Sequence, residues 1–294
     1  MTAAVDQELY FVGENLTKED AYVSKRDGRL RRITQGVYIP SDHDISDAFQ
    51  RYALRICWKR YPDAALTHAT ARLKAPTGDH HALRVFIGGD YPHKAPFRGV
   101  NHQGDLEECF IVQTAVWPGI GLPEPVDPLL YERVTLADDL GSFEMWCSTL
   151  ELQVLQQMDA TKVHPEKHLP DATIEQMWSE LQAKHGGAAG AWKAVKDVSK
   201  RGKKPKKFEA QRFGNRFYQD ILRNLPQDEI VLAMREVLDV SKMSRDDLLR
   251  TIVMMDDTTR NKVLRVIMMR DLLEEQELEE MVSSLADQFM RAAV

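Results

Sequence analysis

The 294-residue chain lacks any apolar run of about 18 residues, the length that a membrane-spanning helix needs. Its first residues have neither the basic start nor the apolar stretch of a secretory signal peptide. Cysteine is scarce: Cys57, Cys109 and Cys147 are widely spaced, which favours reduced thiols in a core over a disulfide framework. We therefore expect a cytoplasmic protein that has no membrane partner.

The common sequence signatures of catalysis are also missing. The chain has no glycine-lysine phosphate loop, no Gly-x-Ser-x-Gly elbow, no His-Glu-x-x-His helix and no Cys-x-x-Cys pair. Histidines and aspartates between residues 79 and 102 suit zinc or manganese, but their spacing matches no standard ligand set. His68 lies in an apolar segment, which favours a core histidine that links helix to sheet by a hydrogen bond. We predict a protein that is not an enzyme and uses neither a metal nor a cofactor.

What the sequence does contain is a basic, β-branched segment at 27–40 with glycine at both of its bends. This pattern predicts a two-stranded β-ribbon over residues 29–39, like the wing of a winged-helix domain. Alternation along a strand predicts Arg29 and Arg31 on one face and Arg32 on the other. Cations that project from such a ribbon contact the phosphates of DNA. The residues expected to do so are Lys25, Arg26, Arg29, Arg31 and Arg32.

Helices are predicted on both sides of the ribbon. Thr17 has the spacing of a capping residue for a short helix before the ribbon. Asp44 or Ser46 begins a second helix, in which apolar residues recur with a period of about 3.6. A third and shorter helix is expected from Pro62 to Leu73. The front of the chain therefore combines helices with a ribbon.

The next region favours a small sheet, because glycine and proline interrupt it often and leave little room for helices. β-Branched and aromatic runs predict strands at 83–87, 108–117 and 131–136. From Glu144 the apolar pattern turns helical and stays so, with Ser244 as one capping residue.

The expected fold class is α+β, with a winged-helix-like N-terminal part, a small β-sheet domain and an all-α C-terminal bundle. The predicted segments are a winged-helix-like segment at 1–75, an α+β domain at 76–160, a helical linker with a basic run at 161–207, and a helical bundle at 208–294.

The net charge of −6 hides a strong separation of charge along the chain. Ten cations and only two acids lie between Lys193 and Arg216, whereas seven acids and no cation lie between Asp271 and Asp287. We expect the centre of the basic run to be a flexible arm that binds nucleic acid; a solvated linker and a segment docked on the acidic helix remain alternatives. Its cations are Lys200, Arg201, Lys203, Lys204, Lys206 and Lys207.

Three short motifs of the front half resemble the AbiEi family of bacterial antitoxins and transcriptional regulators. They are the ribbon motif at 30–38, an Ala-Leu-Thr-His stretch at 65–68, and an Arg-Gly-Val-x-His stretch at 98–102. The resemblance covers roughly residues 15–160, so the α+β domain at 76–160 is AbiEi-like. It implies a DNA-binding antitoxin that represses its own toxin–antitoxin or phage-defence operon and neutralises a separately encoded toxin. Fewer residues precede the ribbon than a complete helix-turn-helix needs.

The front half also resembles the region that precedes Fic- and HipA-type toxins, but no toxin motif follows it here. We therefore expect the helical back half to bind a cognate toxin or defence protein, or to form a homo-oligomer. The alternative function is a non-enzymatic interaction or scaffold subunit of an anti-phage defence complex. The apolar stripe expected to bind the partner is Leu278, Met281, Leu285 and Phe289.

Overall fold

The computed structural model of the chain is mixed α+β and divides into two compact units. Unit 1 comprises Met1–Thr149 with Pro165–His168, and unit 2 comprises Leu150–His164 with Leu169–Val294. The segment boundary expected at residue 75 lies inside unit 1. The structure describes residues 7–89, 94–101, 103–113, 126–158, 165–201 and 243–256, together with ten isolated positions between 228 and 282.

Unit 1 begins with a small antiparallel sheet and one helix. These elements are β1 (Tyr10–Phe11), α1 (Lys18–Arg26), β2 (Leu30–Thr34) and β3 (Val37–Pro40). The strand order is β1-β3-β2. The Thr17 hydroxyl caps α1 by accepting a hydrogen bond from the Asp20 N–H at 3.0 Å. Gly36 makes the turn of the ribbon with a φ of +75°, which glycine adopts easily. The predicted ribbon and the predicted Thr17 cap are confirmed.

Both faces of this sheet are covered. Leu30 packs with Ala21 of α1 on one face, and Ile33 belongs to the main core of unit 1 on the other. Arg32 is paired across the ribbon with Tyr38, which packs on the α1 side. Because alternate strand residues face opposite ways, Arg31 faces the main core and Arg32 faces the side of α1.

A long helix and a six-stranded sheet complete the core of unit 1. These elements are α2 (Ile45–Arg60), β4 (Ala65–Leu66), α3 (His68–Leu73), β5 (Arg84–Gly88), β6 (Lys94–Val100), β7 (Leu106–Gln113), β8 (Tyr131–Asp138) and β9 (Gly141–Ser148). The strand order is β6-β7-β5-β4-β9-β8, with β5–β7 and β4–β9 parallel and the other pairs antiparallel. The apolar face of α2 packs on this sheet and on the ribbon in one continuous core.

The predicted start of α2 is confirmed, but its cap comes from a distant strand. Asp44 occupies the capping position without a side-chain capping bond. Glu107 of β7, only 1% exposed, accepts hydrogen bonds instead from the N–H groups of Ile45 at 2.8 Å and Ser46 at 3.2 Å. A buried carboxylate at a helix N-terminus is stabilised by these donors and by the helix dipole. This contact ties α2 to the sheet.

Two helix predictions in this region are wrong. The third helix begins at His68 rather than at Pro62, because Ala65–Leu66 pairs with β5 and β9 as a strand. The chain also does not turn helical at Glu144. That residue lies inside β9, which pairs with β8 along its whole length and buries alternate side chains, as a strand with one covered face does.

Unit 2 is helical in its described parts. Its helices are α4 (Leu150–Gln157), α5 (Asp171–His185), α6 (Ala188–Arg201) and α7 (Arg245–Met254). The first three pack on one another. Gly186 ends α5 in the left-handed conformation, as the Gly-Gly pair predicts. Ser244 caps α7 by accepting a hydrogen bond from the Asp247 N–H at 3.2 Å, which confirms that prediction. The other helices expected after residue 207 lie outside the described ranges.

Candidate nucleic-acid interface

The outward side of α1 forms a basic and aromatic surface. Small residues on its inward side, such as Ala21 and Ser24, are buried against the first sheet. Lys18, Lys25 and Arg26 are exposed on the other sides of the helix. Tyr22 lies among these cations with 70% of its surface exposed. The Tyr22 ring is therefore accessible from solvent.

The chain that leaves α1 adds two more cations to this surface. The Arg29 guanidinium lies 3.6 Å from the Asp27 carboxylate, and its side chain is 37% exposed. Arg32 is exposed on the α1 side, with its Nε donating to the Thr34 carbonyl at 3.2 Å. Arg26 also contacts Asp27, at 3.3 Å. Ion pairs as exposed as these are weak and break easily for a stronger anion. We name the set Lys18, Tyr22, Lys25, Arg26, Arg29 and Arg32 the α1 surface.

The expectation that Arg31 projects from the ribbon is wrong. This side chain is half-buried, and its Nη1 donates to the carbonyl of Val100 at 3.0 Å. Its Nη2 donates to the carbonyl of His43. Arg31 therefore fastens the ribbon to β6 and to the loop before α2. Its neighbour Gly99 has no side chain to obstruct it: a Cβ there would lie 3.2 Å from Nη1 of Arg31. The glycine of the Arg-Gly-Val motif therefore allows the Arg31 guanidinium to lie close to β6.

The tip of the ribbon is fixed to the end of α2. Arg60 Nη1 donates to the Thr34 hydroxyl at 2.7 Å and to the Gln35 carbonyl at 3.0 Å. Its guanidinium also lies 5.7 Å from the centre of the Tyr61 ring. The ribbon is thus held at its tip by Arg60 and along its length by Arg31. The exposed Arg32 is therefore presented from a preorganised support.

Most cations of α2 are neutralised inside unit 1. Arg51 pairs with Glu8 at 2.8 Å, and Lys59 pairs with Glu14 at 2.5 Å while covering the ring of Trp58 at 4.1 Å. The sequence of α2 does not predict these ion pairs, because both carboxylates come from the segment around β1. Both cations therefore have carboxylate partners within unit 1, although the Arg51 side chain stays 56% exposed.

Arg55 and Asp138 form a buried bidentate pair, with side chains only 9% and 11% exposed. The Arg55 Nε lies 2.7 Å and 2.9 Å from the two carboxylate oxygens, and Nη2 donates to the Gly141 carbonyl at 2.6 Å. The guanidinium also lies 4.7 Å from the centre of the Phe143 ring. This network anchors α2 to the turn between β8 and β9 and has a structural role.

An acidic cleft of about 320 Å³ lies beside the start of α2. The pKa of Glu8 is lowered by the hydrogen bond from the Tyr52 hydroxyl and by Arg51. Burial and the same carboxylate raise the pKa of Tyr52. The cleft therefore carries negative charge at neutral pH and disfavours a polyanion. Its lining residues are Glu8, Asp42, His43, Asp44, Asp47, Ala48, Arg51 and Tyr52.

His68 is 4% exposed and lies in the interior of unit 1. Burial, followed by the charges of Lys167 and His168, holds its pKa well below the ordinary value of 6.5. Its imidazole is therefore neutral and does not titrate near physiological pH.

The three cysteines are free and buried, as expected for core thiols. Burial raises the pKa of Cys109 to about 11, so this thiol is not a nucleophile.

Within the described ranges, no three histidine, cysteine, aspartate or glutamate side chains form a group that could hold a metal ion. Of the histidines and aspartates considered for a metal, Asp90, His93 and His102 lie outside those ranges.

Lys200 and Arg201 end α6 as exposed residues. Other predicted site residues also fall outside the described ranges: Lys203, Lys204, Lys206, Lys207, Leu278, Met281, Leu285 and Phe289.

Sequence reasoning missed Lys18 and Tyr22. The signal was available, because Thr17 caps the helix and Lys18, Tyr22 and Arg26 follow at intervals of four residues on one side of it. The structure brings these residues together with Lys25, and it removes Arg31 from the predicted set.

No protein-family model matches this chain, and no curated protein matches its sequence. In the part of the chain that the structure describes, no helix is both long and apolar enough to cross a membrane.

Proposed function

We propose that this protein is a DNA-binding antitoxin that represses its own operon, and that unit 1 binds duplex DNA with the α1 surface. One observation carries the proposal: a capped helix directly precedes the ribbon in a sheet of order β1-β3-β2. In a winged-helix domain, the recognition helix likewise precedes the wing, and the two share one DNA face. The same order here supports a shortened form of that domain, with α1 in the place of the recognition helix.

The distribution of charge supports the same side of unit 1. The α1 surface has five cations, two of them beside Asp27, whereas the acidic cleft is lined by other residues of unit 1. A chain with a net charge of −6 needs such a local concentration to approach a polyanion. The basic run, whose first cations Lys200 and Arg201 end α6, would add affinity without sequence preference.

The antitoxin part of the proposal is supported by the sequence motifs of the AbiEi family. Two of these motifs have structural roles in unit 1: the ribbon motif forms β2 and β3, and Gly99 permits the contact of Arg31 with β6. We propose that the helical back half engages the separately encoded toxin, and that promoter DNA is the ligand of unit 1.

A salt series tests the DNA part of this proposal. Anisotropy of a labelled duplex from the chain's own promoter would be measured between about 50 and 200 mM salt. The double variant Arg26→Gln, Arg32→Gln should flatten the slope of log K against log salt by about 1.8, because each phosphate contact contributes about 0.9. Arg235→Gln with Arg250→Gln removes the same charge from exposed positions of unit 2 and should leave the slope unchanged.

Absence of duplex binding by the unaltered protein would refute the DNA part and favour the scaffold function. An equal change of slope in both double variants would refute the assignment to α1. Two experiments test the antitoxin part of the proposal. The protein should co-purify with the product of the adjacent gene, and its expression should restore growth of cells that express that product.

A further inference from the structure

Tyr22, the aromatic residue of the α1 surface, does not belong to the core cluster beneath α1. Tyr22 is 70% exposed at the middle of α1, four residues after Lys18 and four before Arg26. On a helix these three side chains lie on adjoining turns. An apolar ring enclosed by cations suits a ligand that combines an anionic surface with apolar groups.

An acidic side chain lies beside this ring. Glu19 is exposed on the outward side of α1, three residues before Tyr22, whereas Asp20 accepts a hydrogen bond from the Thr17 hydroxyl at 2.7 Å. A carboxylate in a DNA-binding surface repels phosphates. It is compatible with DNA only where it meets a hydrogen-bond donor, and duplex DNA presents donors on its bases.

The dimensions of α1 fit a groove of DNA. α1 has nine residues, and an α-helix with its side chains is about 10–12 Å in diameter. The major groove of B-form DNA is about 12 Å wide and admits one helix. Only this groove presents the methyl group of thymine and the amino group of cytosine to a bound protein.

We propose that Tyr22 and Glu19 determine which sequence the protein binds. This inference rests on the proposed function, namely that the α1 surface contacts duplex DNA. With α1 in the major groove, the Tyr22 ring packs on a thymine methyl and the Glu19 carboxylate accepts from the N4 amino group of cytosine. Lys18, Lys25, Arg26 and Arg32 hold the phosphates on either side. In this arrangement the α1 surface reads sequence as well as binding phosphates.

Replacing single thymines by uracil tests the Tyr22 contact, because uracil lacks only the methyl group. Preferred duplexes would first be selected from a random pool with the unaltered protein. At one thymine, the change to uracil should weaken binding about fourfold, the effect of one buried methyl group. Tyr22→Ala should bind the thymine and uracil duplexes equally. Lys18→Gln is the matched control: it should weaken both duplexes by the same factor and keep the fourfold ratio.

Selection with Glu19→Ala tests the second contact. The variant should lose the preference for cytosine at one position, by about tenfold in relative affinity, and keep the other preferences. Unchanged melting temperatures would show that these exposed substitutions leave the fold intact. Duplex binding with a salt-dependent slope but without sequence preference would overturn this inference and leave the proposed function standing. Sequence preferences that Tyr22→Ala and Glu19→Ala both retain would also overturn it. Failure of the unaltered protein to bind any duplex would overturn both.

Discussion

Two neighbouring arginines of the ribbon provide a matched test of the structure. Arg31→Gln and Arg32→Gln remove the same charge from adjacent positions of β2. The first side chain is half-buried and donates to two backbone carbonyls, whereas the second is exposed on the α1 side. The first substitution should therefore act on stability and the second on DNA binding.

The magnitudes follow from the contacts. A hydrogen bond from a charged group contributes about 1.5–3 kcal/mol when buried. Because Arg31 is only half-buried, its two bonds together should contribute about 2–3 kcal/mol. For a unit of this size, each 1 kcal/mol shifts the melting temperature by roughly 2–4 °C, so Arg31→Gln should lower it by about 5–10 °C. Arg32→Gln should change it by no more than about 1–2 °C.

Thermal unfolding followed by circular dichroism and the salt series on duplex DNA measure the two effects. At a temperature where both variants are folded, Arg32→Gln should flatten the salt slope by about 0.9, and Arg31→Gln should leave it unchanged. An Arg31→Gln variant that melts like the unaltered protein and flattens the slope as much as Arg32→Gln would refute the inward placement of Arg31.

Other contacts of unit 1 lead to three more predictions. Asp138→Asn should lower the unfolding free energy by about 3 kcal/mol, because it leaves the buried Arg55 uncompensated; adding Arg55→Met should recover part of this loss in urea unfolding. Gly99→Ala should cost about 1–3 kcal/mol, since its new Cβ would lie 2.5 Å from Cδ1 of Ile45; an unchanged melting temperature would contradict this. His68 should destabilise the protein below pH 6.5, the ordinary pKa of histidine, because the unfolded imidazole takes up a proton that the buried one does not. The loss should be at most about 1.4 kcal/mol per pH unit, measured by urea midpoints from about pH 5 to 8, and absent in His68→Asn.

Features set by neighbouring residues could be predicted from the sequence. The ribbon follows from β-branched residues and Gly36, which bends the chain locally. The start of α2 follows from the apolar period of its sequence, and the caps at Thr17 and Ser244 bind N–H groups three residues ahead. Each of these features depends on spacings of a few residues, which a sequence displays directly.

Features that depend on distant partners could not be predicted in this way. The short segment Gly141–Ser148 mixes apolar and polar residues and suits either a strand or the start of a helix; pairing with β8 decides that β9 is a strand. Likewise, Ala65–Leu66 is a strand because β5 and β9 lie on either side of it.

The sequence by itself determined that a basic ribbon follows a capped helix, because these elements arise from local backbone preferences. Only the tertiary structure decided which cations remain on the surface. Arg31 and Arg55 look like surface cations in the sequence, yet Arg31 donates to the carbonyl of Val100 and Arg55 is buried against Asp138. Burial and pairing depend on which elements pack together, and that is a property of the whole folded unit.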